Sequence, residues 1–266
     1  MRKVFALVRA SWLTAISYRV DTFFSFMNLL VAIIPLYFIS RALQPMMAGA
    51  IRAEAPENFG FVLVGMLTFS FVATAVGAVH GALSSEISSG SFEALMSTPT
   101  SLPVLIVGMV GQAFSMTAIR AAVVFATACV LGAHVVWTGG LAALFILALI
   151  IFCYLAIGIL AAALVLAFRT TGPFPTAVLT VSALLGGVYY PTNVIPAWLE
   201  RFSVFVPLTY GLRALRRSLL DGASLMRSAN DVAILTAWGL VLTAAAMIAF
   251  TWAVRYAKRA GTLAQY

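Results

Sequence analysis

Six long runs of apolar residues dominate this sequence and decide the solvent in which the chain can fold. They cover residues 23–40, 59–79, 104–133, 141–168, 174–188 and 232–254. A helix needs about 20 apolar residues to cross the hydrocarbon core of a bilayer, and only helices or closed barrels satisfy their backbone hydrogen bonds there. These runs are evenly apolar, whereas barrel strands alternate. The sequence therefore predicts an all-α integral membrane protein with six transmembrane helices.

The composition agrees with this class, because charged residues make up only 9% of the chain and hydrophobic residues 63%. A soluble domain carries about a quarter charged residues. The basic residues behind the net charge of +8 flank the apolar runs, whereas nucleic-acid binding needs an exposed basic face with stacking aromatics. We therefore expect membrane lipid, and no nucleic acid, as a partner. No composition shift or repeat divides residues 1–266, which we predict to be one transmembrane domain.

Basic residues gather at both ends of the chain and predict its orientation. Those before the first run are Arg2, Lys3, Arg9 and Arg19, and those after the last run are Arg255, Lys258 and Arg259. Because cytoplasmic segments next to spans are rich in Lys and Arg, both termini are predicted to be cytoplasmic. Residues 1–20 also carry apolar side chains at helical spacing. This favours an N-terminal helix in the membrane interface over a plain basic tail.

Motifs for catalysis, nucleotide binding and metal binding are missing from the sequence. Lys3 and Lys258 are the only lysines, and neither follows the glycine-rich loop that would hold a nucleotide phosphate. His80 and His134 stand alone near run ends, which is too few ligands for a typical zinc or haem site. We therefore expect this chain to have no catalytic residue and to bind no metal or cofactor.

Arg120 is the charged residue that lies deepest inside an apolar run. An arginine at the centre of a span costs about 2.5–3.5 kcal/mol on insertion, so its side chain should face the protein interior or a wet cavity. Two interpretations stay open. Arg120 lines a substrate path or gate, or it lies on a long helix and reaches the interface or a neighbour's carbonyl groups.

A short polar segment, residues 86–99, separates the second and third runs. Gly90 suits the position just after a helix end. The short helix that would follow is too small to be stable alone, yet Phe92, Leu95 and Met96 share one face at i, i+3 and i+4 spacing. Such a helix fits a groove on another protein. The alternative is an ordinary cytoplasmic turn whose apolar side chains dip into the bilayer.

The same segment resembles a motif of the permease subunits of ABC-2 type exporters. In that family a Glu, and then Ser/Thr-Gly-Thr-Leu-Glu-x-Leu-x-x-Ser/Thr-Pro, follows the second span. This chain has Glu86 and then Ser89-Gly90-Ser91-Phe92-Glu93-Ala94-Leu95-Met96-Ser97-Thr98-Pro99. The resemblance implies that residues 91–98 form a cytoplasmic coupling helix seated on a separate ATPase. The residues it assigns to this contact are Glu86, Gly90, Phe92, Glu93, Leu95, Met96 and Pro99.

A second string, near the C-terminus, is similar to the same family, which shows Tyr-Pro, Pro-x-Trp-Leu/Ile and Pro-x-Thr-Tyr followed by Arg. The matching residues here are Tyr190-Pro191, Pro196-Ala197-Trp198-Leu199 and Pro207-Leu208-Thr209-Tyr210, with Arg213, Arg216 and Arg217 after them. The resemblance implies that residues 189–222 carry short helices that re-enter the membrane from the extracytoplasmic side. The gate residues would then be Tyr190, Pro191, Pro196, Pro207, Thr209, Tyr210 and Arg213.

Leucine spacing within this segment predicts one of those helices. Leucines recur every three or four residues, at Leu208, Leu212, Leu215 and Leu219. This is the pattern of an amphipathic helix, which Gly222 would end. The three arginines fall on a different face of it. Either they meet anionic headgroups or an anionic substrate as part of a gate, or they anchor the last span.

With the six-span layout and the cytoplasmic ends, the two motifs extend the resemblance over essentially the whole chain. The resemblance implies a permease subunit of an ATP-driven exporter in the cell membrane of a prokaryote. It also implies the partners of that subunit, namely a second permease copy, identical or related, and two copies of an ATPase subunit that binds ATP and Mg²⁺. Two other functions stay open. One is an ATP-independent channel or secondary carrier with Arg120 as its key charge. The other is a membrane-embedded enzyme, against which the missing catalytic motifs argue.

Overall fold

The computed structural model describes residues 19–88, 102–168 and 172–259. Every regular element in these ranges is a helix, as the evenly apolar runs predicted. The α-helices are α1 (Arg19–Ile51), α2 (Asn58–Ser88), α3 (Leu102–Val130), α4 (Gly140–Phe168), α5 (Phe174–Leu185), α6 (Ala197–Ser203), α7 (Pro207–Leu220) and α8 (Ala229–Arg259). Three short 3-10 helices lie between them, at Trp137–Gly139, Thr192–Val194 and Leu225–Ser228.

Four segments of the described chain are long and apolar enough to cross a membrane. They are Asn58–Ala82, Val110–Val130, Trp137–Phe168 and Leu225–Tyr256. They coincide with the second, third, fourth and sixth predicted runs. The prediction of an all-helical, multi-span membrane protein is therefore confirmed.

The first and fifth predicted runs are not among these four segments. Helix α1 has 33 residues, or about 50 Å at 1.5 Å per residue. Helix α5 has 12 residues, or about 18 Å, which is shorter than the ~30 Å hydrocarbon core. It stops before the predicted run does because Gly186 follows as its C-cap and Gly187 turns the chain with a φ of +75°. The number of six spans stays a prediction. Residues 1–18 of the predicted interfacial helix, and all of the predicted coupling helix 91–98, lie outside the described residues.

A glycine also sets the end of α3, which stops at Val130 although the apolar run continues to residue 133. Gly132 has a φ of +95°, a conformation that glycine adopts without steric cost. The N–H of Gly132 donates to the Cys129 carbonyl at 3.1 Å, and the N–H of Ala133 donates to the Ala128 carbonyl at 2.9 Å. This pair of bonds is a Schellman cap, and it satisfies carbonyl groups that the helix end would otherwise leave free.

Helix α4 is the centre of the bundle, with α2, α7 and α8 packed around it. Small residues allow the backbones to approach closely, as is typical between helices in membranes. A Cβ added at Gly158 of α4 would overlap the carbonyl oxygen of Ala75 in α2. A Cβ at Gly211 of α7 would lie 2.5 Å from the Ile150 side chain of α4. The buried Tyr154 hydroxyl of α4 pairs with the Ser182 hydroxyl of α5 at 2.8 Å.

The bundle has two unlike ends. At one end, α1 finishes, α2, α4 and α8 begin, and α7 is packed; we name it the arginine end, after Arg213, Arg216 and Arg217. At the other end, α2, α4 and α8 approach their last turns. There Val79, Ala162, Ala163, Val165, Leu166 and Ala253 form one buried apolar cluster, and we name this the alanine end.

Candidate functional site

The candidate site is built around α7 at the arginine end. Proline stands at the first position of this helix, where its missing N–H leaves no bond unmade and its fixed φ suits the helix. Three of the four predicted leucines, Leu208, Leu212 and Leu215, are buried against the bundle core. The helix ends at Leu220, and Gly222 follows with a φ of +65°. Burial of these leucines fixes which way the arginines of α7 point.

Helix α7 does not lie flat on the end of the bundle. Gly211 contacts Ile150, which is about 15 Å along α4 from Gly140 at 1.5 Å per residue. Near the other end of α7, a Cβ added at Gly139 would overlap the Ser218 carbonyl oxygen. The first half of α7 is therefore inserted among the other helices, and the helix runs back toward the arginine end.

Arg216 is the most buried of the three arginines, with 1% of its surface exposed. Its Nε donates to the Phe61 carbonyl at 3.2 Å, and its Nη1 donates to Oε2 of Glu54 at 3.1 Å. Its Nη2 donates to the carbonyls of Gly187, at 2.8 Å, and Val188, at 3.2 Å. The guanidinium carbon also lies 3.4 Å from the centroid of the Phe61 ring. This one side chain therefore joins α7 to the α1–α2 loop, to α2 and to the turn after α5.

The electrostatics of Arg216 follow from its burial. Loss of water lowers the pKa of Arg216 to about 10, and the Glu54 carboxylate opposes this shift. The guanidinium therefore stays charged at neutral pH. Its planar fork presents five N–H donors, and its hydrogen bonds account for most of them. Removing any one of these partners from the buried charge would therefore destabilise the protein.

Arg213 and Arg217 extend the network on its more exposed side. Arg213 lies between two carboxylates, with Nε 3.8 Å from Oε1 of Glu54 and Nη1 3.6 Å from Oδ1 of Asp231. Arg217 donates through Nη1 to Oδ2 of Asp231 at 3.3 Å and through Nε to the Ala53 carbonyl at 3.5 Å. Three positive and two negative charges thus meet on three segments, namely the α1–α2 loop, α7 and the start of α8. We name these five residues the arginine network.

Gly65 makes room for this network. A Cβ added there would overlap the Val188 carbonyl oxygen and would lie 2.8 Å from Nη2 of Arg216. Only glycine therefore allows α2 to pass this close to the turn that Arg216 holds. The sequence shows Gly65 as one glycine in an apolar run, but it does not show that the Val188 carbonyl lies beside it.

The predicted gate residues lie in the segment between α5 and α7 and on the first half of α7. The Thr209 hydroxyl, which has one proton to donate, lies within hydrogen-bond distance of two carbonyl oxygens, those of Leu185 at 3.2 Å and Ser203 at 3.0 Å. The Tyr210 hydroxyl donates to the Val204 carbonyl at 3.2 Å, and the Tyr190 hydroxyl to the Leu184 carbonyl at 3.0 Å. These side chains link the segment between α5 and α7 to the end of α5 and link α7 back to that segment.

Prolines account for the breaks between these short helices. Pro191 precedes the 3-10 helix Thr192–Val194 as its N-cap, and Pro196 does the same for α6. Pro207 opens α7. Because proline has no N–H and restricts the residue before it, each of these positions interrupts a continuous helix. The structure therefore brings the predicted gate residues together in one folded segment, with Arg213 in the adjoining network.

Arg120 lies apart from this site. It is on α3 and exposed, and none of the described residues forms an ion pair or hydrogen bond with its side chain. Helix α3 carries other polar groups, and the Thr117 hydroxyl pairs with that of Thr74 on α2 at 2.7 Å. In the isolated chain the Arg120 side chain therefore does not face the protein interior, which is one of the two environments that the sequence predicts for it. The other environment, a wet cavity, stays a prediction.

The predicted coupling residues could not be placed in the same way. Glu86 lies in the last turn of α2. The other members of the group lie outside the described residues; they are Gly90, Phe92, Glu93, Leu95, Met96 and Pro99.

Two acidic residues of the site, Glu54 and Asp231, were missed by sequence reasoning. Glu54 belongs to a segment whose positive and negative charges balance, and Asp231 immediately precedes the last apolar run. The available signal was the opposite charge of the three arginines between them. Within the described ranges, no group of three or more His, Cys, Asp or Glu side chains could hold a metal ion.

A comparison with known families agrees with this architecture. A family model described as "ABC-2 type transporter" matches residues 2–220. The matched region covers most of the chain and ends with the last residue of α7. No curated protein matches the sequence. The resemblance of the two motifs is thus confirmed over a region that contains both of them. With its several membrane-spanning helices, this chain belongs to the ABC-2 type transporter family of membrane transport permeases.

Proposed function

We propose that this chain is the permease subunit of an ATP-driven exporter, and that a separate ATPase subunit binds ATP and Mg²⁺ and hydrolyses the nucleotide. The observation that carries the proposal is the family match over residues 2–220. The chain would form the substrate pathway and contribute no catalytic residue. Nothing in the sequence points to a solute-binding protein, which favours export over import.

The proposed contact with the ATPase is the segment between α2 and α3, with a coupling helix at residues 91–98. Its place in the chain supports this. Val79 of α2 belongs to the alanine end, and Val110 of α3 packs against the same cluster together with Val254 of α8. The α2–α3 connection is thus on the side where α8 ends. The basic C-terminal residues favour a cytoplasmic location for that side.

The proposed gate is the segment 189–222 at the opposite end. Irregular backbone at membrane depth is tolerated where it is buried in protein or lines a cavity. The insertion of α7 beside α4, and the bonds made by Thr209 and Tyr210, support a re-entrant segment of this kind. In the exporter it would close the pathway toward the extracytoplasmic side.

Arg120 supports the proposal that a second permease copy is present. An exposed arginine in the middle of a span costs about 2.5–3.5 kcal/mol in contact with lipid. That cost is avoided if the α3 surface lines a wet pathway or meets another subunit. We propose that two copies, identical or related, assemble with two ATPase subunits in the cell membrane of a prokaryote, with the termini of each permease in the cytoplasm.

The coupling contact can be tested by Leu95→Asp, which places a charge on the apolar face of the proposed helix. The full chain is expressed in its native host and purified with its bound proteins. The ATPase subunit should co-purify with the unmodified chain and be lost from the variant. Leu225→Asp is the matched control, because Leu225 is an exposed leucine at the arginine end. Equal recovery of ATPase with Leu95→Asp would contradict the proposed contact.

A second experiment separates the exporter from an ATP-independent channel or carrier. The purified chain is reconstituted into vesicles without any ATPase. The exporter proposal expects no solute flux, with or without ATP. A channel or carrier would pass solute down its gradient, and Arg120→Leu would abolish that flux.

A further inference from the structure

We propose that a cavity between α1, α2 and α3 binds the headgroup of a zwitterionic phospholipid that carries a primary amine. The cavity has a volume of about 400 Å³. Its lining combines two aromatic rings, two opposite charges and two uncharged polar side chains, from Tyr37, Phe59, Arg41, Glu57, Ser40 and Gln44. This proposal is independent of the direction of transport and of any ATPase.

The two charges in this cavity differ from those of the arginine network. Arg41 and Glu57 line the same space, yet neither forms an ion pair or side-chain hydrogen bond with any residue in the described ranges. The guanidinium of Arg41 instead lies 5.3 Å from the centroid of the Tyr37 ring. All three arginines of α7, by contrast, are paired with carboxylates. A cavity that holds one positive and one negative side chain, neither of them in an ion pair with a described residue, suits a ligand that carries both charges.

The polar wall of the cavity is fixed before any ligand arrives. The backbone N–H of Asn58 donates to Oε1 of Gln44 at 2.6 Å. Its side-chain Nδ2 donates to the Ser40 carbonyl at 3.2 Å. Asn58 is buried, so these bonds hold the end of α1 against the start of α2. The rings of Tyr37 and Phe59 meet edge to face, with centroids 5.2 Å apart, and form an apolar wall.

The level of the cavity identifies the source of the ligand. Glu57 immediately precedes the span Asn58–Ala82, and Gly132 lies just beyond the span Val110–Val130. The cavity is therefore at the border between hydrocarbon and headgroups. Further along α1, toward the middle of the membrane, Ile34 and Phe38 are exposed and offer an apolar surface to acyl chains. A membrane lipid has its phosphate and amine at the headgroup level and its acyl chains in the hydrocarbon, so one molecule can contact both surfaces.

The recognition chemistry follows from the donors and acceptors. Arg41 can donate two parallel hydrogen bonds to phosphate oxygens. The Glu57 carboxylate, which has no ion-pair partner among the described residues, can accept hydrogen bonds from a primary ammonium group. A quaternary choline headgroup has no N–H to donate, and a glycerol headgroup has no positive charge. The cavity should therefore prefer phosphatidylethanolamine to lipids with either of those headgroups.

Native mass spectrometry of the full-length, delipidated chain tests this preference. The chain is titrated with phosphatidylethanolamine, phosphatidylcholine or phosphatidylglycerol that share the same acyl chains. One charge-assisted hydrogen bond corresponds to about a tenfold difference in the dissociation constant. We expect phosphatidylethanolamine to bind about tenfold more tightly than either of the others. Equal binding of all three lipids would overturn the proposal.

Two substitutions that each replace a charged side chain with a neutral polar one assign the headgroup contacts. Arg41→Gln should weaken binding of both phosphatidylethanolamine and phosphatidylglycerol, because both carry the phosphate. Glu57→Gln should weaken phosphatidylethanolamine alone and remove the preference. Arg52→Gln and Glu200→Gln are matched controls on exposed charges outside the cavity. If the controls weaken binding as much as the cavity variants do, binding is a general effect of charge and the proposal fails.

The lipid source and the location have their own tests. Soluble glycerophosphoethanolamine carries the headgroup without acyl chains, and it should compete only weakly. If it binds as tightly as the lipid, the ligand is a soluble zwitterion and the proposed source is wrong. Ala48→Trp should block the cavity, which Ala48 lines, whereas Ala42→Trp on another face of α1 should not. Undiminished lipid binding to Ala48→Trp would place the lipid elsewhere and overturn the assignment.

Discussion

The two ends of this bundle are held together by different forces. The arginine end joins the α1–α2 loop, the turn after α5, α7 and α8 through directional bonds to a buried guanidinium and to two carboxylates. The alanine end joins α2, α4 and α8 through small apolar side chains. Among the described residues, every ion pair lies at the arginine end.

This difference bears on which end can move. Dispersion contacts between apolar side chains are individually weak and non-directional, so a shift of one helix against another there breaks no ion pair. A buried charge loses several kcal/mol when it is separated from its partners. We infer that the helices shift against one another more readily at the alanine end, beside the proposed ATPase contact, than at the arginine end. The substitutions below test that contrast, from the largest expected effect to the smallest.

The largest effect is expected from Arg216→Met, which keeps an unbranched apolar stem but removes the charged guanidinium. Glu54 loses its closest partner, and the carbonyls of Phe61, Gly187 and Val188 lose their donors. Removing one partner of a buried ion pair typically destabilises a protein by about 3–5 kcal/mol. We expect a loss of that size in equilibrium unfolding of the detergent-solubilised chain. Arg227→Met, at an exposed arginine, should change stability by less than about 0.5 kcal/mol.

The next effect is expected at Gly65, where a methyl group has no space. Gly65→Ala would push against the Val188 carbonyl and the Arg216 guanidinium. Overpacking of this kind costs about 1–3 kcal/mol. Gly77→Ala on the same helix meets nothing within 4 Å, and should be neutral or slightly stabilising because alanine favours helices. If both variants unfold alike, the close approach of α2 to the turn after α5 is not a constraint.

A smaller, coupled effect is expected from the two carboxylates. Arg213 lies between Glu54 and Asp231, so it can partly compensate for the loss of either one. The effects of Glu54→Gln and Asp231→Asn should therefore not add, with a coupling energy of at least about 0.5 kcal/mol in a double-mutant cycle. Additive losses would mean that the network consists of independent pairs.

The smallest effect is expected in the part of the bundle without ion pairs. Thr74→Ala removes the hydrogen bond between the hydroxyls of Thr74 and Thr117, which links α2 to α3. Interhelical bonds of this type contribute about 0.6 kcal/mol on average. Thr236→Ala is the matched control, because that hydroxyl donates only within its own helix, to Val232. A loss as large as that of Arg216→Met would contradict the contrast between the two ends.

The sequence predicted the helices well, because composition and periodicity are local properties. Four apolar runs form helices that are long and apolar enough to cross a membrane. The leucine repeat marked α7 at the correct place, with Gly222 just beyond it. Helix ends were less accurate where glycine decided them, as at Gly132 and after α5. An apolar run indicates which residues can face lipid, whereas a glycine with a positive φ decides where the backbone turns.

The arginine network could be predicted only in part. The three arginines were visible as a cluster, and anchoring was one of the two interpretations left open. Their partners Glu54 and Asp231 are 162 and 14 residues away from the arginines they bond, and no local pattern joins residues across such separations. The same reasoning explains Gly65, whose role depends on a carbonyl from a distant turn. Contacts between residues that are distant in the sequence cannot be predicted from local spacing.

The central claim, that the alanine end receives its motion from a separate ATPase, is tested most directly by site-specific cross-linking. Met96→Cys places a thiol on the proposed coupling helix, and Met226→Cys, at an exposed residue of the arginine end, serves as the control. Native membrane vesicles are treated with a short thiol-reactive cross-linker, and the products are identified by mass spectrometry. The account predicts that Met96→Cys alone captures a P-loop ATPase, from the cytoplasmic face. A thiol at position 96 that reacts only from the extracytoplasmic face, or that captures no ATPase, would contradict it.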